Sequence, residues 1–262
     1  MIPLADYHVH TAFCDGKNTP EEMVEAALAQ GMTAIGFSGH SHTGFDESWC
    51  MSQAGTAAYR AEIARLKAAY AGRIRVLCGV EQDYFSDAST ADYDYVIGGV
   101  HYVQLGGEYV PVDESADILR AAAAKHFGGD IYGVAEAYFR TVADVCDKTG
   151  CDVIGHFDLI AKFNEGGALF DEAHPRYVVA WQSAADRLLA CGKPFELNTG
   201  AMFRGCRSVP YPAPSMQDYL AARGASFLLS GDAHSTQALR FRFDVWGARL
   251  EGRGVRIADA PR

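Results

Sequence analysis

Two histidines near the start of the chain have the spacing of metal ligands. Residues 6–10 read as an extended strand, in which side chains two positions apart project from the same face. His8 and His10 would therefore point together to one side. Asp15 follows after a short loop that Gly16 helps to turn. Two imidazoles and a carboxylate form a ligand set that suits a divalent ion such as zinc, manganese or iron.

Further potential ligands occur at the ends of later predicted strands. Six of the seven predicted strands end on such a residue, and the later positions are His40, Glu81, His101, His156, Asp232 and His234. Unrelated histidines would scatter over helices and loops, as His126 and His174 do. The repeated placement therefore predicts one metal centre rather than a set of structural histidines.

The elements that must position these residues alternate between strand and helix. After the first strand, apolar runs predict strands at residues 33–38, 73–80, 93–100, 151–154, 194–199 and 226–230. Helical patterns fall at residues 20–30, 57–71, 115–125, 132–149, 175–191, 215–223 and 244–251. Thr19 and Glu22 have the spacing of a capping box at the start of the first helix.

This alternation predicts parallel strands joined by right-handed crossovers. The strands are short, continuous apolar runs, as expected of strands that are buried on both faces. An open doubly wound sheet and a barrel both fit this pattern. Potential ligands just past the end of nearly every strand favour a barrel with its site at the C-terminal rim.

The composition is that of an ordinary globular protein, with 49% hydrophobic and 21% charged residues. No apolar run approaches the roughly 20 residues of a membrane span. The N-terminus lacks the basic and apolar regions of a signal peptide, which predicts a cytoplasmic protein without a membrane partner. Seven cysteines include no C-x-x-C pair, which predicts reduced thiols.

The formal net charge of −10 argues against nucleic acid as a partner. The same charge would repel a phosphorylated substrate from the average surface of the protein. A strong local positive charge, such as bound metal, would reverse that effect inside a site.

Seven short motifs follow one another along the chain: H-V-H-T-A-F-C-D-G, G-F-S-G-H, G-V-E, G-G-V-H, G-H-F-D, E-L-N-T-G and S-G-D-A-H. In this order they resemble the PHP (polymerase and histidinol phosphatase) superfamily, most closely its stand-alone histidinol-phosphate phosphatase branch. The resemblance extends from Asp6 to His234. It implies an α/β fold in which residues 1–262 form a single domain, a distorted, TIM-like (β/α)7 barrel. One departure is Gly39, where the family often has an aspartate that would support the following histidine.

The resemblance also implies three divalent metal ions, which would be zinc, manganese or iron. The implied ligand sets are His8, His10, Glu81 and Asp232; Asp15, His40 and His234; and Glu81, acting as a bridge, with His101 and His156. Several relatives have histidine at the position of Asp15, although aspartate is common in the histidinol-phosphatase branch.

The implied activity is hydrolysis of L-histidinol phosphate to L-histidinol and phosphate in histidine biosynthesis. Metal ions lower the pKa of a bound water to about 7, so a metal-bridging hydroxide could attack phosphorus directly. No phosphoenzyme intermediate is predicted. We expect the catalytic residues to be Glu81, Asp232, His234 and His42, the last as a proton donor to the leaving oxygen.

Substrate contacts are expected beyond the ligands. Arg204 follows the one strand without a metal ligand and could bind phosphate in a bidentate manner; Lys162 and His42 are the other candidates. For each of them, a solvent-facing side chain is the alternative. The ammonium group of histidinol would need a carboxylate, and Asp83, Glu114 and Glu165 remain open.

Four further residues have two interpretations each. Asp158 could orient His156 or cap the following helix. Tyr84, Tyr102 and Phe163 lie near strand ends and could line a pocket for an imidazole ring or simply pack in the core.

Three other functions are compatible with parts of the sequence. A PHP-type phosphatase or phosphodiesterase acting on nucleotides or another small phosphoester would need a long basic or aromatic groove, and no such run is present. An amidohydrolase-type barrel shares the H-x-H motif but usually bridges its metals with a carbamylated lysine, where this chain has Glu81. A metal-storage or binding domain would be expected to lack some ligands. The expected partner is a small phosphorylated substrate, and the oligomeric state is left open.

Overall fold

The computed structural model describes residues 2–261, in which a seven-stranded parallel sheet forms a nearly closed barrel. Its strands are β1 (Ala5–Asp6), β2 (Ala34–Phe37), β3 (Arg75–Asp83), β4 (Tyr95–Gly99), β7 (Val153–Ile154), β8 (Phe195–Asn198) and β9 (Phe227–Ser230), while β5 (Tyr102–Leu105) and β6 (Glu108–Pro111) form a separate hairpin. The order of neighbouring strands in the barrel is β1-β2-β3-β4-β7-β8-β9. The predicted (β/α)7 barrel is confirmed.

Helices surround the barrel and connect its strands. They are α1 (Pro20–Ala29), α2 (Gln53–Ala69), α3 (Ala116–Phe127), α4 (Ile131–Val142), α5 (Val145–Thr149), α6 (Pro175–Leu189), α7 (Gly200–Phe203), α8 (Pro214–Ala221) and α9 (Phe243–Glu251). The predicted capping box of α1 is present, since Thr19 Oγ1 accepts from the Glu22 N–H while the Glu22 carboxylate accepts from the Thr19 N–H. Among residues 2–261, every helix is too short or too polar to span a lipid bilayer.

The barrel closes between β1 and β9 through a short seam. Val9 and Ala233 form an isolated parallel bridge just beyond the two strands. The His10 N–H donates to the Ala233 carbonyl oxygen at 2.9 Å, and the Ala233 N–H donates to the His8 carbonyl oxygen at 2.9 Å. The backbone of the H-x-H motif therefore forms one side of the seam.

A buried carboxylate strengthens the same seam. Asp6 Oδ1 accepts from the Gly231 N–H at 3.0 Å, and Oδ2 accepts from the Arg240 N–H at 3.0 Å. A Cβ atom at position 231 would lie 2.2 Å from Asp6 Oδ2, so only glycine fits there. Asp6 thus joins the first strand to the segment that follows the last.

A tyrosine fills the inside of the barrel. The Tyr95 side chain lies against Gly36 and Gly79. An added Cβ would approach its hydroxyl oxygen to 2.5 Å at position 36 and its ring to 2.2 Å at position 79. The Tyr95 hydroxyl lies 2.6 Å from the Tyr7 carbonyl oxygen and 3.0 Å from that of Phe37. Two glycines on neighbouring strands therefore make room for one large ring that ties three strands together.

The C-terminal segment packs against the same interior. Ile257 forms a parallel bridge with Phe227, and the Ala258 N–H donates to the Phe227 carbonyl oxygen at 2.8 Å. Ala258 and Ala260 pack against the interior cluster, whose members are Ala5, Tyr7, Ala34, Leu77, Tyr95, Ile97, Val153 and Leu228. The chain thus ends by covering part of the barrel interior.

Several boundaries differ from the sequence prediction. Helix α2 begins at Gln53, where Ser52 accepts a capping hydrogen bond from the Gly55 N–H at 3.0 Å. Strand β3 continues past Glu81 to Asp83. The single helix predicted over residues 132–149 is two helices, α4 and α5, which are separated at residues 143–144.

An antiparallel hairpin was not predicted. Strands β5 (Tyr102–Leu105) and β6 (Glu108–Pro111) follow β4 directly and are joined by Gly106 and Gly107. Both glycines have positive φ, as a tight hairpin turn requires. The Gly-Gly pair between alternating apolar residues was the signal in the sequence for this hairpin.

Candidate metal centre

The nine residues predicted as ligands lie together at the carboxyl end of the barrel. His8 and His10 follow β1, His40 follows β2, and Glu81 lies in β3. The remaining positions follow β4, β7 and β9, or lie in the loop after β1: they are His101, His156, Asp232, His234 and Asp15. Parallel strands end at one edge, which is why residues so distant in sequence converge.

Glu81 is at the centre of this group. Its carboxylate is buried, with 1% of its surface exposed, and five imidazole nitrogens surround it. Their distances from Glu81 Oε2 are 3.1 Å for His8 Nε2, 3.5 Å for His10 Nε2 and 2.8 Å for His40 Nδ1. Glu81 Oε1 lies 2.7 Å from His156 Nε2 and 3.2 Å from His101 Nε2. One carboxylate therefore reaches both sides of the group.

The other two carboxylates, Asp232 and Asp15, also lie beside imidazoles of the group. Asp232 Oδ1 lies 3.4 Å from His10 Nε2 and 3.4 Å from His234 Nδ1. Asp15 Oδ2 lies 3.1 Å from His234 Nε2, and its Oδ1 lies 3.5 Å from His40 Nε2. His234 therefore contacts both aspartates, through Nδ1 to Asp232 and through Nε2 to Asp15.

The donor atoms of this group fit divalent cations. Five buried atoms lack a hydrogen-bond partner among residues 2–261: His8 Nε2, His10 Nε2, His40 Nδ1, Glu81 Oε2 and His156 Nδ1. Buried polar atoms without partners are costly, and three of these five are imidazole nitrogens that lie 2.8–3.5 Å from a fourth, Glu81 Oε2. Imidazole nitrogens and carboxylate oxygens are the ligands that zinc, manganese and iron take.

Three sets of ligand atoms are close enough to hold an ion, with all atoms of a set within 4.8 Å of one another. They are His10, Asp15, His40 and His234; His8, His10 and Asp232; and His40, Glu81 and His101. The predicted sets divide these residues differently. In the structure, His10 and His40 each belong to two sets, whereas the prediction assigned each of them to one. His156 is placed by its 2.7 Å contact with Glu81.

Two members of the group, His10 and Glu81, have the protonation state of a metal ligand. Burial, together with the imidazoles of His234 and His40, lowers the pKa of His10 to about 3, so its ring is neutral at pH 7. Burial alone would raise the pKa of Glu81, but the imidazoles of His40, His8 and His101 hold it well below its usual range. A neutral imidazole beside an ionised carboxylate is the form in which both residues ligate metals. Burial would lower the pKa of His8, His101 and His234, but neighbouring carboxylates raise it, so these imidazoles would release a proton when metal binds.

Glu196 supports two ligands and was missed by sequence reasoning. Its Oε1 lies 2.6 Å from His8 Nδ1, and its Oε2 accepts from the His156 N–H at 3.0 Å. Such a carboxylate fixes the orientation of a metal-ligating imidazole. An acidic residue in the otherwise apolar strand β8 was the signal available in the sequence.

Asp83 has a similar role beside His101. Its Oδ2 lies 3.1 Å from His101 Nδ1 and accepts from the His101 N–H at 3.2 Å. Asp83 is buried and already bonded, so it is unavailable as the carboxylate for a substrate ammonium group.

A cavity of about 310 Å³ opens onto the metal centre. Seven of the nine predicted ligands line it, and so do both basic side chains predicted to contact substrate, Arg204 and Lys162. Arg204 Nη2 lies 2.9 Å from Asp232 Oδ2, and Lys162 Nζ lies 3.0 Å from Asp113 Oδ2. Trp49 and Tyr102 form an aromatic part of the wall.

His42 is not brought into this cavity. Its Nε2 lies 2.7 Å from Glu47 Oε1, and its ring lines a separate depression together with Phe45 and Tyr109. The loop after His40 turns away from the metal centre at this point. The assignment of His42 as a catalytic and substrate-binding residue stays a prediction with no contact to support it.

The other residues considered from the sequence have distinct neighbours. Glu165 accepts from the Ser208 N–H at 3.1 Å, outside the cavity. Asp158 accepts from the Ala213 N–H at 3.0 Å, which gives it a structural role in a buried loop. The Tyr84 hydroxyl donates to Asp144 at 3.2 Å. The fourth, Phe163, has its ring 5.6 Å from Lys162 Nζ.

The chain is similar to a known family and to named proteins. The PHP domain family model matches residues 6–199. A Deinococcus radiodurans protein named “Probable histidinol-phosphatase” is 32% identical over 254 residues, which cover 93% of this chain and 91% of the relative. A Schizosaccharomyces pombe protein of the same name is 24% identical over 276 residues, with 97% of this chain and 88% of the relative covered.

Two solved structures share the fold. One is described as a candidate histidinol phosphatase from Listeria monocytogenes; it has a TM-score of 0.79 at 18% identity and covers 92% of this chain and 99% of its own. The second is a histidinol phosphate phosphatase from Lactococcus lactis, in complex with zinc, L-histidinol and phosphate. It has a TM-score of 0.70 at 19% identity and covers 97% of this chain and 94% of its own. Since the family model spans most of the chain and agrees with its barrel and its motifs, the chain belongs to the PHP domain family.

Proposed function

We propose that this chain is a metal-dependent phosphomonoesterase that hydrolyses L-histidinol phosphate to L-histidinol and phosphate in histidine biosynthesis. The observation that carries the proposal is a buried group of histidines and carboxylates open to a cavity with two basic side chains. The relatives named histidinol-phosphatase and the ligands of the Lactococcus lactis protein support this substrate.

We further propose that three divalent ions occupy the nine-ligand centre. Zinc in the Lactococcus lactis protein supports zinc, and the mixed nitrogen and oxygen donors also suit manganese or iron. Bound ions would supply positive charge for the phosphate and lower the pKa of a bound water to about 7. Elemental analysis of purified protein should find three ions per chain.

Arg204 would hold the phosphate at the metal centre. Its Nη2 donates to Asp232 Oδ2, and its Nη1 donates to the Asp232 carbonyl oxygen at 3.4 Å and lies 3.3 Å from His234 Nδ1. The side chain is 29% exposed, and those of its five N–H groups that these contacts do not use can donate to a phosphate. A guanidinium matches the geometry of phosphate oxygens and keeps its charge at any pH at which the enzyme works. Lys162, held by Asp113, adds a second positive charge in the same cavity.

Glu114 is the carboxylate best placed for the histidinol ammonium group. Of the three carboxylates left open by the sequence, only Glu114 lines the cavity. Asp83 is bonded to the ligand His101, and Glu165 lies outside the cavity. The exposed side chain of Glu114 can reach a bound cation without breaking an existing contact.

His42 is the proposed general acid for the leaving oxygen. If His42 protonates the leaving oxygen, the loop that carries it must move when substrate binds, since His42 now faces Glu47. A His42→Ala variant with unchanged kcat would eliminate this role.

The deciding experiment is a substrate panel with purified protein and added Mn²⁺ or Zn²⁺. L-Histidinol phosphate, p-nitrophenyl phosphate, nucleotides and a phosphodiester are compared by kcat/KM. We expect L-histidinol phosphate to have the highest value. An equal kcat/KM for p-nitrophenyl phosphate would reject L-histidinol phosphate as the specific substrate, although the protein would still be a phosphomonoesterase. A preference for the phosphodiester would reject both the substrate and the phosphomonoesterase activity. The cytoplasmic location stays a prediction.

A further inference from the structure

Trp49 lines the cavity, and nothing in the sequence pattern singled it out. It belongs to the loop of residues 43–50, which lies between β2 and α2. Its indole Nε1–H donates to Tyr102 Oη at 2.8 Å, and the Tyr102 hydroxyl donates to Asp46 Oδ2 at 2.7 Å. Tyr102 begins strand β5, so these two bonds tie the loop to the hairpin.

The acceptor at the end of this chain of bonds is itself fixed. Asp46 Oδ1 accepts from the Ser48 N–H at 3.0 Å and from the Ser48 hydroxyl at 2.6 Å. The Thr43 hydroxyl donates to the Asp46 carbonyl oxygen at 2.8 Å. Hydrogen bonds that end on a charged acceptor are strong, and successive bonds polarise one another. The indole is therefore held in one orientation.

The indole lies directly beside the metal centre. Its centroid is 4.5 Å from that of His40 and 5.1 Å from that of His101. Tyr102 lies alongside, with ring centroids 6.0 Å apart. A phosphoester whose phosphate is held at the ligands must place its organic part within the same cavity, which has this aromatic wall.

We propose that Trp49 is a specificity-determining residue, whose indole packs against a flat unsaturated ring in the organic part of the phosphoester. The inference rests on the proposed function and deepens it, because it assigns the wall that selects the leaving alcohol. Tyr102 and Asp46 are positioning residues that act through the indole. A flat ring gains both buried area and favourable aromatic geometry on this wall, whereas a short aliphatic chain gains little of either.

The test compares two substrates that differ in the ring. L-Histidinol phosphate carries phosphate, ammonium and imidazole, while ethanolamine phosphate keeps the first two groups only. For Trp49→Leu we expect kcat/KM of L-histidinol phosphate to fall about tenfold, mainly through KM. The value for ethanolamine phosphate, or its inhibition constant where turnover is too slow, should change less than about twofold. An equal loss for both compounds, or no loss for either, overturns the inference.

Two variants and one control distinguish the loss of the Trp49 orientation from general damage to the fold. The ratio to compare is kcat/KM for L-histidinol phosphate divided by kcat/KM for ethanolamine phosphate. Tyr102→Phe and Asp46→Asn should lower this ratio by a smaller factor than Trp49→Leu does, and elemental analysis should find their metal content unchanged. Trp246→Phe, on helix α9 and outside the cavity, should leave the ratio as in wild type. A ratio that changes as much in Trp246→Phe as in Trp49→Leu would contradict the assignment.

A binding measurement needs no turnover. The chain has three tryptophans, so Trp181→Phe combined with Trp246→Phe leaves Trp49 as the sole indole. L-Histidinol added with inorganic phosphate should change its fluorescence, and ethanolamine with phosphate should not. Identical responses to both would count against the inference.

Failure of the proposed substrate can be distinguished from failure of this inference. If L-histidinol phosphate is a poor substrate, phenyl phosphate and ethyl phosphate replace the pair. Trp49→Leu should then lower kcat/KM for the phenyl ester relative to the ethyl ester. An unchanged ratio in this pair rejects the role of Trp49, whatever the natural substrate is.

Discussion

Glu196 connects two ligand-bearing segments with one side chain. It contacts the His8 ring and the His156 backbone, and it also accepts from Asn198 Nδ2 at 3.2 Å. A carboxylate in this position selects the imidazole tautomer that presents Nε2 to the ligand centre and makes that nitrogen more basic. Glu196 is 1% exposed, so all of these contacts are made inside the protein.

Replacing Glu196 with glutamine should weaken metal binding while keeping the shape of the side chain. We expect metal affinity to fall about 10–100-fold, because His8 loses its charged partner. Competition with a chromophoric chelator measures the change. Glu165→Gln, on the exposed side of a neighbouring loop, is the matched control and should leave affinity unaltered. Wild-type affinity in Glu196→Gln would mean that the hydrogen bond alone, without charge, is sufficient.

Arg204→Ala tests phosphate binding. We expect KM to rise at least about tenfold, since a charge-assisted hydrogen bond is lost, while metal content falls much less. The control is Arg176→Ala, whose exposed guanidinium pairs with Asp130 and Glu136 on the helical surface. If KM is unchanged and metal is lost instead, Arg204 serves Asp232 and not the substrate.

The sequence predicted the location of a site residue only where that residue directly follows a predicted strand. His8, His40 and His156 could be placed near one another because each follows a parallel strand, and these ends meet at one rim. Glu196 and Trp49 could not be placed in this way. Glu196 lies within an apolar strand, and Trp49 depends on hydrogen bonds from a loop to a hairpin that begins at residue 102.

At the scale of elements, the barrel interior depends on small residues opposite one large one. Strands β2 and β3 each contribute a glycine against which the Tyr95 ring from β4 packs. Tyr95 is buried, and its hydroxyl reaches carbonyl groups beyond β1 and at the end of β2. Packing of this kind transmits any change in side-chain volume to three strands at once.

Gly79→Ala should therefore be strongly destabilising. A Cβ there would lie 2.2 Å from the Tyr95 ring, so the ring or the strand would have to shift. Overpacking costs typically about 1–3 kcal/mol of unfolding free energy, and this contact falls at the upper end. Urea unfolding measures the cost. Gly44→Ala, where the nearest atom is 3.7 Å away, should change stability by less than about 0.5 kcal/mol. Equal stability of both variants would show that β3 shifts to accept the methyl group.

Local sequence signals could not locate the break between α4 and α5. Residues 132–149 contain a helical pattern and no proline, so one helix was the reasonable prediction. The break at residues 143–144 coincides with contacts of the Asp144 carboxylate to Tyr84 and to Arg187. Both partners are more than 40 positions away in sequence. Such contacts are invisible to any analysis of neighbouring residues.

For the whole molecule, the charge distribution and the metal centre are linked. The chain carries a net charge of −10, and the ligand group contains two buried carboxylates, Glu81 and Asp232, and the exposed carboxylate of Asp15. Mutual repulsion among them is relieved when cations bind, so binding should stabilise the folded chain.

Chelation should accordingly lower the melting temperature. Binding at 100 times the dissociation constant contributes about 2.7 kcal/mol per site, so loss of several ions should lower Tm by several degrees or more. Calorimetry with and without EDTA measures this shift. A single transition is expected in both conditions if residues 1–262 form one domain. In the double variant His8→Ala with Asp232→Ala, EDTA should lower Tm much less than in wild type. A shift as large as that of wild type would place the ions elsewhere.

The seam between β1 and β9 has a consequence for the order of folding. Asp6 and Gly231 are 225 positions apart, so their bond closes a very long loop whose entropy cost delays it. His8 and His10 lie on one side of this seam, and Asp232 and His234 lie on the other. A complete ligand set can therefore exist only after the chain has closed on itself. In stopped-flow refolding, uptake of a spectroscopically visible ion such as Co²⁺ should lag behind the formation of helices.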